Sequence, residues 1–431
     1  MKSFQQYGLI FSALVSMDAI AAIAVERISV NAAGEQGNAI SERPTVADGG
    51  NLVVFTSLAF NLVPGDFDDS LEFGYSMLRD RSANSTVWVV EPAVRSRSID
   101  SPALSRDSQF VAFVTGQTNL VPGDTSQPDV FRKRLSNGLI ERVNQPPGGG
   151  NSIGSIDSIS LSGDGRFVAF DSSAGDLVPG DNNGFSDVFV RDMNGATIER
   201  ISVNSNGEPT LDGNSRHPAI TADGRFVAFS SAASQLGPPT NTLGNVFVRD
   251  RTTGTTSRVS IGVGGAEPNG SSGFGGFRPS ISDNGRWVLF GSDATNLVVG
   301  DTNGRSDIFL ADRQDGSISR VSTDLNGGQL SLSPSEATMS ADGSRIVYGI
   351  RLTASDPLVL FDRPSGIRIM LNGDAEGQAR GRALQPSISA DGNFVVIRGT
   401  DAILPVSGNN IDDVFLFDIT EVMHVFDNGF E

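Results

Sequence analysis

Two stretches of the sequence place oxygen-bearing side chains at the spacing of a cation-binding loop. They read Asp181-Asn-Asn-Gly-Phe-Ser-Asp187 and Asp301-Thr-Asn-Gly-Arg-Ser-Asp307. Carboxylate and amide oxygens on a tight glycine turn suit Ca²⁺, although neither stretch has the twelfth-position Glu of an EF-hand. The pattern predicts calcium sites at Asp181, Asn183, Asp187, Asp301, Asn303 and Asp307. The alternative is that these side chains bond the backbone as Asx turns, without a metal.

Three further residues are candidates for holding a ligand. Arg216, His217 and Arg278 come just before short predicted strands, beside the Gly-, Ser- and Asn-rich segments 204–215 and 262–276. If those strands line a central channel, the three side chains lie at its mouth, where binding sites are commonly found. The alternative is that they are ordinary solvated loop residues.

The residues needed for common catalytic sites are scarce. The sequence has no Cys and only two His, His217 and His424, which excludes thiolate catalysis and Cys-ligated zinc. It contains neither a nucleophile elbow nor a His-Glu-x-x-His motif. We therefore predict a protein that is not an enzyme. Because acidic residues are abundant, a carboxylate-based glycan hydrolase or lyase at the channel mouth is the alternative.

These candidates belong to a unit that repeats along the chain. Ile220-Thr-Ala-Asp-Gly-Arg-Phe-Val-Ala-Phe229 closely matches Leu161-Ser-Gly-Asp-Gly-Arg-Phe-Val-Ala-Phe170. The same Asp or Asp-Gly turn recurs at intervals of 49 to 60 residues, at Asp48, Asp107, Asp164, Asp223, Asp283, Asp342 and Asp391. Repetition at such a period is typical of propellers and solenoids.

Each unit contains four predicted strands. In one unit a short strand ends at Ile220, the Asp-Gly pair makes a tight turn, and a β-branched and aromatic strand follows at 226–229. A third strand at 245–250 and a fourth at 257–260 complete the unit. One four-stranded sheet cannot bury both of its faces, whereas sheets stacked in a ring bury them against each other. We therefore predict an all-β fold, a β-propeller with seven four-stranded blades rather than six or eight.

The last unit lacks a fourth strand of its own. Its third strand ends at Asp418 without the Arg-Val-Ser segment found elsewhere, yet Glu26-Arg-Ile-Ser-Val-Asn31 is identical to Glu199-Arg-Ile-Ser-Val-Asn204. We predict that the N-terminal strand completes the last blade and closes the ring, which leaves no open sheet edge. The alternative assigns this fourth strand to Ile419-Thr-Glu-Val-Met-His-Val-Phe426.

The recurring segments resemble the TolB-like, WD40-like propeller repeat, in which a Pro-x-x-Ser-x-Asp-Gly turn precedes one strand and an Asp-Ile/Val-Phe/Tyr strand follows. Pro386-Ser-Ile388 before Asp391, and then Asp413-Val-Phe-Leu-Phe-Asp418, show this pattern, and the resemblance spans residues 25–418. It implies a binding or scaffolding protein of the cell envelope or the exterior. The family typically has six blades, and TolB itself carries an extra N-terminal domain that does not fit before Val25, so the TolB role does not transfer.

The two ends of the chain differ from the repeats. Lys2, the apolar run that follows it and the small residues of Ala22-Ile-Ala24 predict a signal peptide at 1–24, the alternative being an uncleaved leader. The apolar run is too short to span a bilayer, so we expect no transmembrane segment after cleavage. The propeller is predicted at 25–418 and a C-terminal tail at 419–431. Export places the protein in the periplasm, on the cell surface or outside a bacterial cell.

The net charge limits the partners. Fifty acidic residues against 32 basic residues give a formal charge of −18, which repels a phosphate backbone and excludes nucleic acid. We predict a monomeric binding or scaffold protein that holds a protein or glycan at its acidic loop rim and channel mouth, with Ca²⁺ as the candidate cofactor. A purely structural envelope protein is the remaining alternative.

Overall fold

The computed structural model describes residues 23–65, 74–91, 102–237, 243–273, 277–351, 355–374, 377–404 and 408–427. The strands, in chain order, are β1 (Ala24–Arg27), β2 (Ser41–Val46), β3 (Leu52–Ser57), β4 (Tyr75–Asp80), β5 (Ser85–Trp88), β6 (Ala103–Leu104), β7 (Phe110–Thr115), β8 (Asp129–Arg134), β9 (Ile140–Arg142), β10 (Ile159–Leu161), β11 (Phe167–Ser172), β12 (Asp187–Asp192), β13 (Thr197–Arg200), β14 (Ser215–Ile220), β15 (Phe226–Ser231), β16 (Asn245–Asp250), β17 (Thr255–Arg258), β18 (Ser280–Ile281), β19 (Trp287–Ser292), β20 (Asp307–Asp312), β21 (Ile318–Arg320), β22 (Pro334–Met339), β23 (Arg345–Ile350), β24 (Leu358–Asp362), β25 (Ile367–Met370), β26 (Ala383–Ile388), β27 (Phe394–Gly399) and β28 (Asp413–Asp418). One helix, α1 (Thr420–Asp427), follows the last strand.

The strands form seven antiparallel four-stranded sheets, and each sheet is one blade. Blade 1 contains β2 to β5, and the next five blades follow with four consecutive strands each. Blade 7 has the order β1-β28-β27-β26. The first strands of neighbouring blades contact each other from β2 to β26 and back to β2, so these strands surround the central axis. The predicted seven-bladed β-propeller is confirmed.

The ring is closed by the N-terminal strand, as predicted. Strand β1 pairs antiparallel with β28, with Ala24 opposite Asp418 and Arg27 opposite Phe415. The strand ends at Arg27, as its sequence match β13 ends at Arg200, and the N–H of Ile28 still donates to the carbonyl of Val414 at 2.8 Å. The chain then turns at Asn31, whose side-chain oxygen accepts the backbone N–H groups of Ala33 and Glu35 at 2.9 Å.

The alternative closure by residues 419–426 is wrong, because helix α1 occupies most of that segment. The carboxylate of Asp418 accepts bonds from the backbone N–H of Thr420 at 3.1 Å and from its hydroxyl at 2.7 Å, a capping arrangement that favours a helix start. Val422 and Met423 then pack into the hydrophobic cluster of the seventh blade.

The hydrophobic core lies between consecutive blades rather than within any one of them. One cluster joins Val188 and Val190 of blade 3 to Val227 and Phe229 of blade 4. An equivalent cluster joins blade 7 to blade 1 across the closure. Because each blade buries one face against the blade before it and one against the blade after it, stability depends on the complete ring.

At five of the seven blade contacts, a turn glycine lies directly against an aromatic ring of the preceding blade. Gly224 has a φ of 73°, and a Cβ atom at this position would overlap the ring of Phe167 in the preceding blade. The residue is therefore glycine for two reasons, the left-handed backbone and the close approach. The same contact occurs in four further pairs, Gly50 with Phe394, Gly165 with Phe110, Gly285 with Phe226 and Gly343 with Trp287.

Arginine side chains cover the aromatic rings at these contacts. The guanidinium groups of Arg166 and Arg251 each lie 4.6 Å from the centroid of the Phe167 ring. Arg166 also bonds Asp192, which lowers the pKa of that carboxyl to about 2. These contacts link blades 3 and 4, because Arg251 belongs to the fourth blade and Phe167 to the third.

No helix in the described part of the chain is long and apolar enough to cross a membrane.

The glycine contact can be tested by two matched substitutions. We expect Gly224→Ala to lower the free energy of unfolding by about 2–4 kcal/mol, since backbone strain and overpacking against Phe167 both act. Gly207→Ala is the control, because Gly207 has a φ of 81° and no heavy atom within 4 Å of the added Cβ. It should cost only about 1–2 kcal/mol. Equal losses in urea unfolding would contradict the close-approach argument.

Candidate functional site

The two predicted cation loops lie on one rim of the propeller, where the second strand of a blade connects to the third. The amide of Asn183 donates to Asp187 at 2.9 Å and to the carbonyl of Thr210 at 2.9 Å. Asn303 makes the equivalent bonds, to Asp307 at 2.9 Å and to the carbonyl of Leu330 at 3.0 Å. These bonds join each loop to the connection that leads to the next blade, so both segments form the same rim.

An arginine lies between the two carboxylates of each loop. The guanidinium of Arg200 is 3.2 Å from Asp181 and 3.5 Å from Asp187. Arg320 lies 3.5 Å from Asp301 and 3.8 Å from Asp307. The same three-residue arrangement recurs in two more blades, as Arg142 with Asp124 and Asp129, and as Arg27 with Asp401 and Asp413.

Burial makes these carboxylates depend on their partners. Asp187 is fully buried and accepts a bond from the hydroxyl of Ser202 at 2.5 Å. Asp307 is bonded in the same way by Ser322 at 2.6 Å. Burial raises the pKa of Asp181 and of Asp307. The arginine compensates a charge that the protein interior would otherwise disfavour.

The guanidinium occupies the region between the carboxylates where a cation would be expected. The described residues contain no group of three or more His, Cys, Asp or Glu side chains that could hold a metal ion. The side-chain oxygen of Asn183 accepts the backbone N–H of Phe185 at 2.9 Å, as an Asx turn does. Asp181, Asn183 and Asp187 thus make the turn and the ion pair, and their binding of Ca²⁺ stays a prediction.

A cavity of about 460 Å³ lies on the axis. It is lined by residues in or next to the first strands of several blades. Its charged and amide side chains are Arg43, Arg278, Glu336 and Gln385, and Pro, Ala, Thr, Ser and Ile residues form the remaining wall. Because a first strand begins at the loop rim and ends at the Asp-Gly turn, these four residues lie towards the rim end of the cavity.

A β-bulge places several of these side chains. The register of the first strand shifts at this point in blades 1, 4, 6 and 7. Arg43, His217 and Gln385 occupy the bulge with φ values of 53°, 56° and 51°, each just before a proline. Left-handed backbone at a non-glycine residue costs on the order of 1–3 kcal/mol, and such strain clusters at active sites and ligand clamps. This repeated strain marks the position as the candidate ligand site.

The three predicted ligand residues lie in different surroundings. Arg278 lines the cavity. Arg216 forms an ion pair with Asp157 of the neighbouring blade at 2.6 Å. The backbone N–H of His217 donates to Asp171 at 3.0 Å, and its Nδ1 lies 3.4 Å from the carbonyl oxygen of Gly273.

The electrostatic surroundings of His217 favour a neutral ring. Burial lowers the pKa of His217, and the positive charge of Arg278 lowers it further, against the opposing effect of Asp171. A neutral imidazole at pH 7 can exchange hydrogen bonds with a ligand but adds no charge to the cavity.

Sequence reasoning missed Arg43, Glu336 and Gln385. Arg43 and Gln385 each precede a proline that starts the repeated motif, as His217 and Arg278 do. Their shared position before this proline is the sequence signal from which Arg43 and Gln385 could have been found. Glu336 holds the same place in the sixth unit, but Ala337 stands where the other units have proline, so the signal is weaker there.

No family model matches the sequence, and no curated protein matches it. Solved structures, in contrast, do match this chain. An oligogalacturonate lyase from Vibrio parahaemolyticus has a TM-score of 0.55 and 12% identity, covering 92% of this chain and 97% of that one. The β-propeller domain of a trilobed protease from Pyrococcus furiosus has a TM-score of 0.54 and 11% identity, covering 88% and 95%. TolB from Acinetobacter baumannii has a TM-score of 0.43 and 16% identity, covering 82% and 67%.

The chain is similar to solved β-propellers. The expected likeness to TolB proteins is present among them. Identities this low show the fold alone. One fold can serve binding as well as catalysis, so the fold does not separate the two roles.

The carboxylate of Asp413 gives the closing blade a pH-dependent stability. Burial raises its pKa from the usual 3.8 to about 6. Because the folded state holds this proton more tightly than the unfolded chain, stability is lost as the pH rises from about 4 to about 6. We expect the free energy of unfolding of the wild type, relative to Asp413→Asn, to fall by about 3 kcal/mol between pH 4 and pH 7. Urea unfolding across this range measures the difference, and a difference that rises with pH would contradict it.

The rim ion pairs predict the effect of removing an arginine. Arg200→Gln leaves Asp187 buried without its cation, so we expect a loss of about 3–5 kcal/mol in the free energy of unfolding. Arg305→Gln removes an exposed arginine from the equivalent loop of another blade and should change it by less than about 0.5 kcal/mol. If Arg200→Gln changed the free energy of unfolding as little as Arg305→Gln does, the ion pair would not stabilise the loop.

The same preparations test the calcium prediction. Thermal melts are run with EDTA and with millimolar Ca²⁺. A rise in Tm with Ca²⁺ that disappears in the double variant Asp181→Ala/Asp301→Ala would support bound calcium, because only binding to the native state stabilises. An unchanged Tm would leave Asx turns and ion pairs as the role of these side chains.

Proposed function

We propose that the protein is an exported, non-enzymatic β-propeller that binds a partner at its loop rim and at the mouth of its axial cavity. The supporting observation is the set of charged side chains that different blades bring to this cavity, Arg43, Arg278 and Glu336. Side chains from separate sheets meet there only because the ring is closed. Concave sites with a few convergent polar groups are the usual places for ligands.

The surroundings of the rim carboxylates favour binding over catalysis. A glycosidase needs one carboxyl group to give up a proton and a second to act as a base or nucleophile at the same bond. Asp181, Asp187, Asp301 and Asp307 are instead buried beside arginines that hold them in place. Groups held in this way contribute to stability rather than to proton transfer.

A carboxylate-based lyase or hydrolase is the second candidate. Two observations favour it. Oligogalacturonate lyases are among the propellers with similar folds, and burial raises the pKa of Glu336 in the axial cavity, as suits a general acid. A purely structural envelope protein is the third candidate. Under this hypothesis, no ligand binds at the cavity.

The proposed partner is based on the net charge, and the proposed location is based on the signal peptide. A net charge of −18 disfavours nucleic acid, so we propose a protein or a glycan as the partner of a monomeric chain. We propose a signal peptide at 1–24, of which residues 1–22 lie outside the described residues. Cleavage after Ala24 would leave residues 25–27 to pair with β28. Periplasm, cell surface and medium all fit this proposal, and Ca²⁺ at the rim loops remains part of it.

Binding without turnover is the test. The full chain is expressed in a bacterium and recovered from the envelope or the medium. Its intact mass should be that of a chain whose first residue is Val25. Thermal shift is then measured with acidic and neutral oligosaccharides and with peptides, and each mixture is examined for products by mass spectrometry. We expect a higher Tm with at least one ligand class and no product.

Two outcomes would replace the proposal. Product that appears with the wild type and is lost in Glu336→Gln would establish the carboxylate enzyme instead. A Tm that no ligand changes, in a correctly processed protein, would favour the structural role.

A further inference from the structure

The lining of the axial cavity forms three layers along the first strands of the blades. The residues in or next to each strand follow in the same order, from the rim end to the turn end. The layer nearest the rim holds the charged and amide side chains described above. The second layer is mainly apolar, with Pro44, Pro102, Pro279 and Pro386. The third layer carries hydroxyl groups, at Thr45, Ser280, Thr338 and Ser387.

Three of these hydroxyl groups are available to a ligand. Among the described residues, no hydrogen bond joins the side chain of Ser280, Thr338 or Ser387 to another protein group, and all three residues are half-buried. Thr45 differs, because its hydroxyl donates to the carbonyl of Pro102 at 3.4 Å. The three available hydroxyls belong to consecutive blades, the fifth, sixth and seventh. They therefore offer hydrogen-bond donors and acceptors along one side of the cavity.

The turns beyond the hydroxyl layer close the far end of the cavity. The backbone N–H of Gly163 donates to the carbonyl of Ala222 in the next blade at 3.0 Å. The backbone N–H of Asp283 donates in the same way to the carbonyl of Ala341 at 2.8 Å. Arg106 of blade 2 also forms an ion pair with Asp283 of blade 5. Because these two blades are not neighbours, the ion pair spans the axis, and we expect a ligand to enter from the rim.

The charged groups at the mouth of the cavity have partners of opposite sign. Arg43 forms an ion pair with Glu42 at 3.7 Å. The charges of Asp171 and Glu336 act on Arg278. A ligand with a net charge therefore gains little from the mouth as a whole, and it would have to give up its hydration to enter. A neutral polar ligand does not have that cost.

We propose that the axial cavity binds the terminal sugar of a neutral glycan, inserted end-on from the rim. The hydroxyl groups of a sugar ring can bond Ser280, Thr338 and Ser387, and its C–H groups can pack against the proline layer. The cavity volume of about 460 Å³ lies within the range of small-molecule sites, roughly 300–1,000 Å³. This inference rests on the proposed binding function and specifies the chemical class of its ligand.

The binding test uses the neutral trisaccharides maltotriose, cellotriose and chitotriose, together with the acidic trigalacturonate. Saturation-transfer difference NMR with the full chain detects binding and shows which sugar ring contacts the protein. We expect saturation transfer to at least one neutral trisaccharide, strongest at one terminal ring, because a cavity closed at its far end admits the chain end first. Isothermal titration calorimetry then measures the affinity, which should be no lower than the affinity for trigalacturonate.

Variants of the third layer assign the binding to this cavity. We expect Ser280→Ala and Ser387→Ala each to raise the Kd about threefold, and the double variant about tenfold or more, because each removes one hydrogen-bonding group. Ala103→Leu narrows the same layer from blade 2 and should abolish binding. The control is Ser136→Ala, which removes a hydroxyl from the exposed connection between β8 and β9 and should leave the Kd unchanged. Circular dichroism confirms that each variant is folded.

Three results would overturn the neutral-sugar site. They are no saturation transfer to any neutral trisaccharide, wild-type affinity in the folded Ser280→Ala/Ser387→Ala variant, and an affinity for trigalacturonate about tenfold or more above that for every neutral trisaccharide. If a peptide from the broader screen raises the Tm of the wild type and of this double variant equally, the proposed binding function stands and the sugar site falls. If no ligand of any class binds, both fall.

Discussion

The contact between a turn glycine and an aromatic ring of the preceding blade sets how closely consecutive blades approach. Gly224 lies directly against Phe167, and Gly50 lies in the same way against Phe394 across the closure of the ring. Since a side chain at either glycine would push the sheets apart, glycine at this turn lets the hydrophobic clusters between these blades close. The second blade has Ser108 at the same turn, also with a positive φ, and its cluster with the first blade is formed as well.

Closure by a segment from the other end of the chain has an electrostatic consequence. Strand β1 brings Arg27 to Asp401 at 2.5 Å and to Asp413 at 3.3 Å, which reproduces in the last blade the ion pairs formed by Arg200 and Arg320 elsewhere. The buried carboxylates of blade 7 are thus compensated by a residue that lies almost the whole chain away. Their compensation and the closure of the sheet occur together.

The charges at the axis come from different blades. At the rim an arginine lies beside the two carboxylates of each cation loop, whereas the described lining of the cavity brings together Arg43, Arg278 and Glu336. Arg43 also lies 3.7 Å from Glu42, and the charges of Asp157 and Asp171 act on Arg278. The rim arrangement stabilises loops, and the axial arrangement groups charges that belong to separate sheets.

The sequence by itself determined the architecture of this protein. The repeated Asp-Gly turn predicted seven blades, and the duplicate of Glu199-Arg-Ile-Ser-Val-Asn204 near the N-terminus predicted the closure, because both depend on local pattern and on identity between units. It also placed Arg278 near the channel. It could not show that Arg200 lies between Asp181 and Asp187, nor that Glu336 faces the same cavity as Arg43, because those residues are separated in the chain and meet only through the stacking of sheets. Only the tertiary structure decided which charges are compensated, since that depends on distances and burial that no repeat period contains.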